Sequence, residues 1–212
     1  MNVDSVSGRQ CRTLTGVMTM PEMFNSDECS KLINTAETEW SKALGYTHDA
    51  DGRGDLDLEH RNAIAFHPKS EDSIQGLWRK ILNIIMHCNG RLDGGWGFDI
   101  AGLEEMPFVA KYEASDINKN GKSGHHNWHV DLGTTSPTNQ RKLAYSVFLN
   151  PGEYEGGEIE FHSDKSSKAF VDGQDKIGTM FIFPAYMMHK VNPITKGTRY
   201  ALVGWAHGDS FK

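Results

Sequence analysis

The sequence predicts an α+β protein in which helices in the first half precede a β-sandwich or jelly roll. Two helical patterns occur before residue 91, and short β-like runs separated by turn residues follow from about Gly97 onward. No repeat or Pro/Gly/Ser-rich linker divides the 212 residues. At about 150 residues per domain, we expect one domain, with a helical annex at about residues 20–100 and a β core at about residues 106–206.

Two helices are predicted in the first half. We expect Ser26 to be the N-cap of the first helix, whose apolar residues recur at helical spacing as far as about Ala43. A polar loop at residues 49–57 follows. The second helix is predicted from a cap at Ser70 or Ser73 to about residue 88, because apolar residues repeat every three or four positions there.

Seven short strands are predicted in the second half. They lie at residues 107–114, 127–131, 143–150, 158–161, 179–183, 189–191 and 199–206. Glycine-containing turns separate them, among them Lys196-Gly197. Seven strands are enough to build the two sheets of a sandwich or jelly roll.

The composition excludes several classes of protein. The 38% hydrophobic and 24% charged fractions are ordinary for a globular domain, which argues against disorder and against a coiled coil. A net charge of −6 argues against a nucleic-acid partner. Three cysteines without a CxxC pair indicate no disulfide framework and no cysteine zinc site. Since Pro184 interrupts the longest apolar run and no signal-peptide pattern is visible, we expect a cytoplasmic protein with no membrane partner.

Two histidines and an aspartate in the predicted β core have the spacing of a metal site. His129 and Asp131 lie two residues apart in a predicted strand, so both side chains should point to the same face of the sheet. His189 opens another predicted strand and is the best candidate for a third ligand. Two histidines and one carboxylate on one face leave coordination positions open, as non-haem Fe(II) oxygen chemistry requires.

Arg199 lies ten residues after His189. A turn at Lys196-Gly197 would bring the chain back from the His189 strand and direct Arg199 into the same cavity. A guanidinium binds a carboxylate through two parallel hydrogen bonds and keeps its charge when buried. We therefore expect a small dicarboxylate that is chelated by the metal at one end and bound by Arg199 at the other.

These residues and several neighbouring motifs resemble those of the 2-oxoglutarate- and Fe(II)-dependent dioxygenases, and most closely those of the prolyl-4-hydroxylase-like branch. In chain order the matching series is Tyr112, His129-Val-Asp131, Arg141-Lys-Leu143, Tyr154-Glu-Gly-Gly-Glu158, Phe183-Pro184, His189-Lys-Val-Asn-Pro193, Gly197-Thr-Arg199 and Trp205. The resemblance implies a double-stranded β-helix, which is a form of jelly roll, with N-terminal helices packed on one sheet. It also implies that residues 1–212 form a single oxygenase domain.

The resemblance implies a role for each residue of the site. Asp131 and the two histidines, His129 and His189, would bind Fe(II). Arg199 would hold the distal carboxylate of 2-oxoglutarate, and the hydroxyl of Tyr112 would reach the same co-substrate. O2 would be the second co-substrate, and ascorbate would serve as a reductant. Phenylalanine stands at position 148, where some prolyl hydroxylases have a tyrosine, so the pocket lacks one hydroxyl.

The resemblance favours hydroxylation of an unactivated C–H bond of a prolyl residue in a peptide or protein, with release of succinate and CO2. A free amino acid or another small molecule is an alternative substrate. The pattern is also compatible with a cupin-type metalloenzyme that does not use 2-oxoglutarate, and with a jelly-roll binding module whose metal site is vestigial. Nucleic-acid demethylation is disfavoured, because that branch has a second arginine where this chain has Trp205.

The sequence makes weaker predictions for the residues that precede His129. His125 and His126 are expected in a solvated loop and Trp128 in the core, whereas Asn127 shares the strand parity of His129 and could face the substrate. We expect the loops at about residues 114–124 and 49–59 to recognise the substrate. The histidines without ligand-like spacing are His48, His60, His67, His87, His162 and His207.

Overall fold

A major and a minor antiparallel β-sheet face each other in the computed structural model of this chain. The structure describes residues 16–44, 47–48, 54–55, 57–90, 95–162, 169–170 and 175–210. Helix α1 spans Ser26–Glu39 and helix α2 spans Gln75–Gly90. The strands are β1 Met18–Met20, β2 Ser41–Leu44, β3 Thr47–His48, β4 Gly54–Asp55, β5 Arg61–Asn62, β6 Ile64–His67, β7 Phe108–Glu113, β8 His125–His129, β9 Arg141–Phe148, β10 Tyr154–Gly156, β11 Ile159–Phe161, β12 Ala169–Phe170, β13 Met180–Pro184, β14 His189–Val191 and β15 Ile194–His207.

The strand order is that of a jelly roll. The major sheet has the order β1-β13-β9-β15-β7-β6-β2, with β10 paired to β15. The minor sheet has the order β12-β11-β14-β8-β5, and β3 and β4 pair separately. Neighbours in space are mostly distant in sequence, which is characteristic of a double-stranded β-helix. The predicted fold class is confirmed.

Both helices cover the outer face of the major sheet. Their apolar stripes and that face form one buried cluster, to which α1 contributes Cys29 and Ala36, α2 contributes Ile81 and Ile85, and the sheet contributes Val147 and Leu202. A second buried cluster fills the space between the two sheets. Helices packed on one sheet were predicted, and this prediction is also confirmed. No helix of the described residues is long and apolar enough to span a bilayer.

The first helix begins and ends at different residues from those predicted. Its N-cap is Asn25, not Ser26: the Asn25 side chain accepts a hydrogen bond from the Glu28 backbone N–H, and the Glu28 carboxylate accepts one from the Asn25 N–H, both at 2.9 Å. The helix ends before Trp40, because residues Ser41–Leu44 pair with β6 as strand β2. Backbone pairing across the sheet therefore outweighs the helical periodicity at this point.

The second helix and the last strand also differ in detail. A 3-10 turn, Glu71–Ile74, precedes α2, which continues to Gly90. Strand β15 runs without interruption through Lys196 and Gly197, so the predicted turn there is wrong. The chain reverses instead at Asn192-Pro193, between β14 and β15. Gly197 has a φ of +71°, and a Cβ at this position would clash with the carbonyl of Glu153. The glycine that suggested a turn is therefore needed because two backbone segments pack closely within the sheet.

Candidate metal centre

Strand β8 carries the first predicted ligand, and its bounds differ from the prediction. It covers His125–His129, so His125 and His126 are strand residues that pair with β5, not loop residues. A register shift against β14 inserts one extra residue in β8. This bulge brings the rings of His126 and His129 together, stacked with centroids 3.5 Å apart. Trp128 is directed outward and is exposed, so its predicted core position is wrong.

The three predicted ligands come together between the sheets. Asp131 lies just beyond the end of β8, where its backbone N–H donates to the carbonyl of Ala185 at 2.9 Å. One ligand atom from each of His129, Asp131 and His189 lies within 4.8 Å of the other two. The two Nε2 atoms are 3.8 and 3.7 Å from the oxygens of the Asp131 carboxylate. The separations suit three ligands that share one face of a single ion.

Backbone carbonyls determine which ring nitrogen carries the proton in both ligand histidines. Nδ1 of His129 lies 2.7 Å from the carbonyl oxygen of Asn127, and Nδ1 of His189 lies 2.9 Å from that of Met187. Because a carbonyl only accepts, each Nδ1–H must donate, which leaves Nε2 as the free lone pair of a neutral ring. Burial lowers the pKa of His129 to about 4, and the neighbouring His189 adds to this effect. A neutral imidazole with a free Nε2 is the form that binds metals.

A salt-bridged network holds the backbone of the carboxylate ligand. Arg141 donates from Nη1 to the carbonyl of Asp131 at 2.9 Å, and from Nε and Nη2 to the Glu105 carboxylate at 2.6 and 2.5 Å. Its guanidinium lies 3.5 Å from the ring centroid of Trp205. The fully buried His207 contacts the same carboxylate through Nε2 at 2.8 Å. Sequence reasoning missed this network, since Glu105 belongs to no motif and lies far from Arg141 along the chain.

Arg199 is buried between the two sheets, against aromatic rings of the inter-sheet cluster. It is 1% exposed, and its Nε and Nη2 have no hydrogen-bond partner in the part of the chain that the structure describes. Tyr112 lies opposite it in the β7–β15 register, and the rings of Tyr112 and Phe148 are 5.3 and 5.6 Å from its Cζ. A Cβ at Gly157 would lie 3.0 Å from its Cδ. A buried guanidinium with free donors fits an incoming carboxylate.

Residues of β8 and of the segment before β5 also lie near the trio. The ring of His60, which had no predicted role, lies 5.4 Å from that of His126 and 6.4 Å from that of His129. Asn127 is exposed and donates to the carbonyl of Glu59 at 2.7 Å. The segment before β5 therefore lies directly beside β8. Most of the predicted recognition loop at residues 49–59 falls outside the described residues, whereas residues 114–124 form a largely exposed connection from β7 to β8.

Comparisons with known proteins agree with this fold. Residues 112–207 match the model of the 2OG-Fe(II) oxygenase superfamily. A PKHD-type hydroxylase of Prochlorococcus marinus is 34% identical over 90 residues, which make up 42% of this chain but only 39% of that protein. A PKHD-type hydroxylase of Pseudomonas putida is 26% identical over 197 residues, which cover 88% of this chain and 76% of that protein.

Solved structures show the same architecture. A prolyl-4-hydroxylase of Pseudomonas putida has a TM-score of 0.64 at 14% identity, covering 92% of this chain and 94% of its own. A prolyl hydroxylase of Trichoplax adhaerens, solved with a peptide fragment of hypoxia inducible factor, has a TM-score of 0.67 at 18% identity, covering 91% of this chain and 84% of its own. Residues 112–207 of this chain are therefore similar to the 2OG-Fe(II) oxygenase superfamily, which supports the predicted resemblance. The names of the relatives and of these structural neighbours support the predicted prolyl-4-hydroxylase-like branch.

Proposed function

We propose that this protein is a dioxygenase that uses Fe(II) and 2-oxoglutarate to hydroxylate an unactivated C–H bond. The observation that carries the proposal is the trio His129, Asp131 and His189, together with the buried guanidinium of Arg199, two of whose nitrogens have no hydrogen-bond partner among the described residues. When bound, Fe(II) with 2-oxoglutarate and O2 supplies the oxidising power for this reaction, and succinate and CO2 are released. We also propose that the annex and the β core act together as one oxygenase domain.

Each residue of the site would have a separate role in binding the metal or the co-substrate. The two Nε2 lone pairs and the Asp131 carboxylate would hold the metal on one face and leave the opposite face to the co-substrates. Arg199 would receive the distal carboxylate of 2-oxoglutarate, with the Tyr112 hydroxyl as an additional donor. Phe148 adds no hydroxyl and instead contributes to an apolar wall, which excludes water from the cavity.

For the substrate, we propose a prolyl residue of a peptide or protein. The names of the relatives and structural neighbours support this class, and the Trichoplax neighbour was solved with a bound peptide. A free amino acid or other small molecule is the second candidate. The cupin-type alternative without 2-oxoglutarate leaves the burial of an unpaired Arg199 unexplained. Ascorbate would keep the iron reduced, and the acidic net charge of −6 supports a substrate other than nucleic acid.

Formation of succinate tests the proposed chemistry. Purified protein with Fe(II), ascorbate and 2-oxoglutarate should form succinate slowly without substrate, and His129→Ala or Asp131→Ala should abolish this turnover. His87→Ala, which alters an exposed histidine of α2, is the matched control and should retain it. Unchanged turnover in either ligand variant would overturn the metal assignment. Metal-dependent turnover that does not consume 2-oxoglutarate would favour the cupin-type enzyme.

A mass-spectrometric screen tests the substrate class. Proline-containing peptides, protein extracts and free amino acids are incubated with the loaded enzyme, and products heavier by one oxygen are sought. Oxidised prolyl residues in peptides support the first candidate. Oxidation confined to free amino acids supports the second.

A further inference from the structure

A second arginine crosses the space between the sheets close to the metal ligands. Arg61 belongs to β5 of the minor sheet, where it lies in register with His126, whose ring stacks on that of His129. Its Cζ lies 5.6 Å from the ring centroid of Phe108, a residue of β7 in the major sheet. Because the side chain starts on one sheet and ends over a ring of the other, it lies in the same inter-sheet space as the metal ligands.

The charge of Arg61 has no counterpart in the described parts of the chain. Its Nε is buried without a hydrogen-bond partner, and no described carboxylate forms an ion pair with it. Arg141, on the other side of the site, is in contrast fully engaged by Glu105. The pKa of His67 is lowered, first by burial and then by the Arg61 charge, so the two side chains lie near each other. Arg61 is partly buried, and a guanidinium whose buried Nε lacks an acceptor is stabilised when an anion binds to it.

Among the described residues and the expected ligands of the site, no negative charge remains to compensate that of Arg61. If the proposed function holds, Asp131 and the two carboxylates of 2-oxoglutarate balance the two charges of Fe(II) and the single charge of Arg199. Arg141 is balanced by Glu105. Neither co-substrate nor metal therefore supplies an anion for Arg61. The remaining molecule that enters this space is the substrate to be hydroxylated.

We propose that Arg61 binds a carboxylate of the primary substrate, so that the enzyme selects acidic substrates. This inference rests on the proposed function and narrows its substrate class. The carboxylate has two sources, namely an Asp or Glu side chain next to the target residue of a peptide, or the α-carboxylate of a free amino acid. The guanidinium forms charge-assisted, bidentate hydrogen bonds with either of them. It would anchor the substrate beside β8, and the position of the anchor would decide which C–H bond faces the metal.

Matched acidic and amide probes test the proposal. Terminally blocked peptides with a central proline carry Asp or Glu on either side of it in one set, and Asn or Gln in the other. Free proline and prolinamide form the small-molecule pair. Binding to the protein with Fe(II) and 2-oxoglutarate is measured by calorimetry without O2, so that no turnover occurs. The acidic member of at least one pair should bind about tenfold or more tightly than its amide twin.

Substitutions at Arg61 connect this preference to the side chain. Arg61→Gln should reduce the preference to less than about twofold, and Arg61→Lys, which keeps the charge but loses the planar fork, should leave an intermediate preference. Arg79→Gln, at an exposed position of α2, should leave the preference unchanged. Thermal unfolding of the ligand-free variants controls for folding. Since Arg61 has no protein partner to lose among the described residues, Arg61→Gln should unfold at or above the wild-type temperature.

The outcomes distinguish a peptide carboxylate from the carboxylate of a free amino acid. They also distinguish failure of the Arg61 proposal from failure of the proposed function. A preference among the peptides indicates a peptide or protein substrate, and a preference for free proline over its amide indicates a small molecule. Equal binding of acids and amides, no binding of any acidic probe, or a preference that survives Arg61→Gln would overturn the proposal. A separate titration with 2-oxoglutarate shows whether the proposed function itself has failed, because that binding does not depend on the probes.

Discussion

Replacing Arg199 by methionine should change stability and co-substrate binding in opposite directions. The guanidinium is 1% exposed and two of its nitrogens have no hydrogen-bond partner among the described residues. Methionine fills a similar volume without charge and with no unmet donor. By analogy with buried ionic groups replaced by apolar side chains, the ligand-free protein should gain about 1–4 kcal/mol. For a protein of this length, each kcal/mol corresponds to a rise of about 2–4 °C in Tm.

The same substitution removes the proposed anchor for the distal carboxylate. Hydrogen bonds between charged groups contribute about 1.5–3 kcal/mol, so the Kd for 2-oxoglutarate should rise by roughly 10- to 100-fold. A side chain with only a packing role would give the reverse pattern: its removal would lower stability and leave the affinity for 2-oxoglutarate nearly unchanged. The two measurements together therefore separate a binding residue from a structural one.

The assay combines calorimetric unfolding of the ligand-free protein with titration of 2-oxoglutarate into the Fe(II)-loaded protein without O2. Arg79→Met, which alters an exposed arginine of α2, is the matched control and should change neither quantity appreciably. A variant Arg199→Met that is less stable than wild type and binds 2-oxoglutarate within about twofold as tightly would refute the reasoning.

Further predictions concern two residues that support the site, Glu105 and Gly157. Glu105→Gln should weaken metal binding by about tenfold in a competitive chelator titration, because Arg141 loses its bidentate partner and holds the Asp131 carbonyl less firmly. Burial raises the pKa of Glu105, but hydrogen bonds from Arg141 and His207 outweigh it and lower the pKa to about 2. The stability that Glu105 contributes should therefore be present above about pH 4.5 and lost as the pH falls towards about 2, and acid unfolding of Glu105→Gln should be flatter across this window. Equal acid profiles would contradict the role of this carboxylate. Gly157→Ala should destabilise the protein by about 1 kcal/mol or more and weaken binding of 2-oxoglutarate, because φ is +70° and the new Cβ would press on Ile194 and Arg199. An alanine variant as stable as wild type in urea unfolding would contradict this contact.

The fold class was predictable because its signals are local. Alternating apolar residues, turn glycines and the helical stripe of residues 74–85 are each contained in short segments of the chain. The structure also brings the three predicted ligands together, and it separately places Arg199 opposite Tyr112. Their roles in binding Fe(II) and 2-oxoglutarate stay predictions until binding is measured.

The features that the sequence did not predict depend on contacts between distant segments of the chain. His126 was expected in a loop, and its position beside His129 depends on the bulge in β8, which is set by pairing with β14. Trp128 faces away from His129, as strand parity predicts, but that face of the minor sheet is exposed and is not part of the core. The end of α1 was misplaced because β2 pairs with β6, and no local signal marks that pairing. Arg61 and Glu105 acquire their neighbours from strands and loops far along the chain, so spacing could not identify them.

The most direct test of the central claim is the metal dependence of 2-oxoglutarate binding. Titration of 2-oxoglutarate into the metal-free and the Fe(II)-loaded protein without O2 compares the two affinities. The account predicts one molecule bound per chain, an affinity that depends on Fe(II), and loss of that dependence in Asp131→Ala. Binding of equal strength without metal, or unchanged metal dependence in Asp131→Ala, would contradict the claim that this trio holds the iron to which 2-oxoglutarate binds.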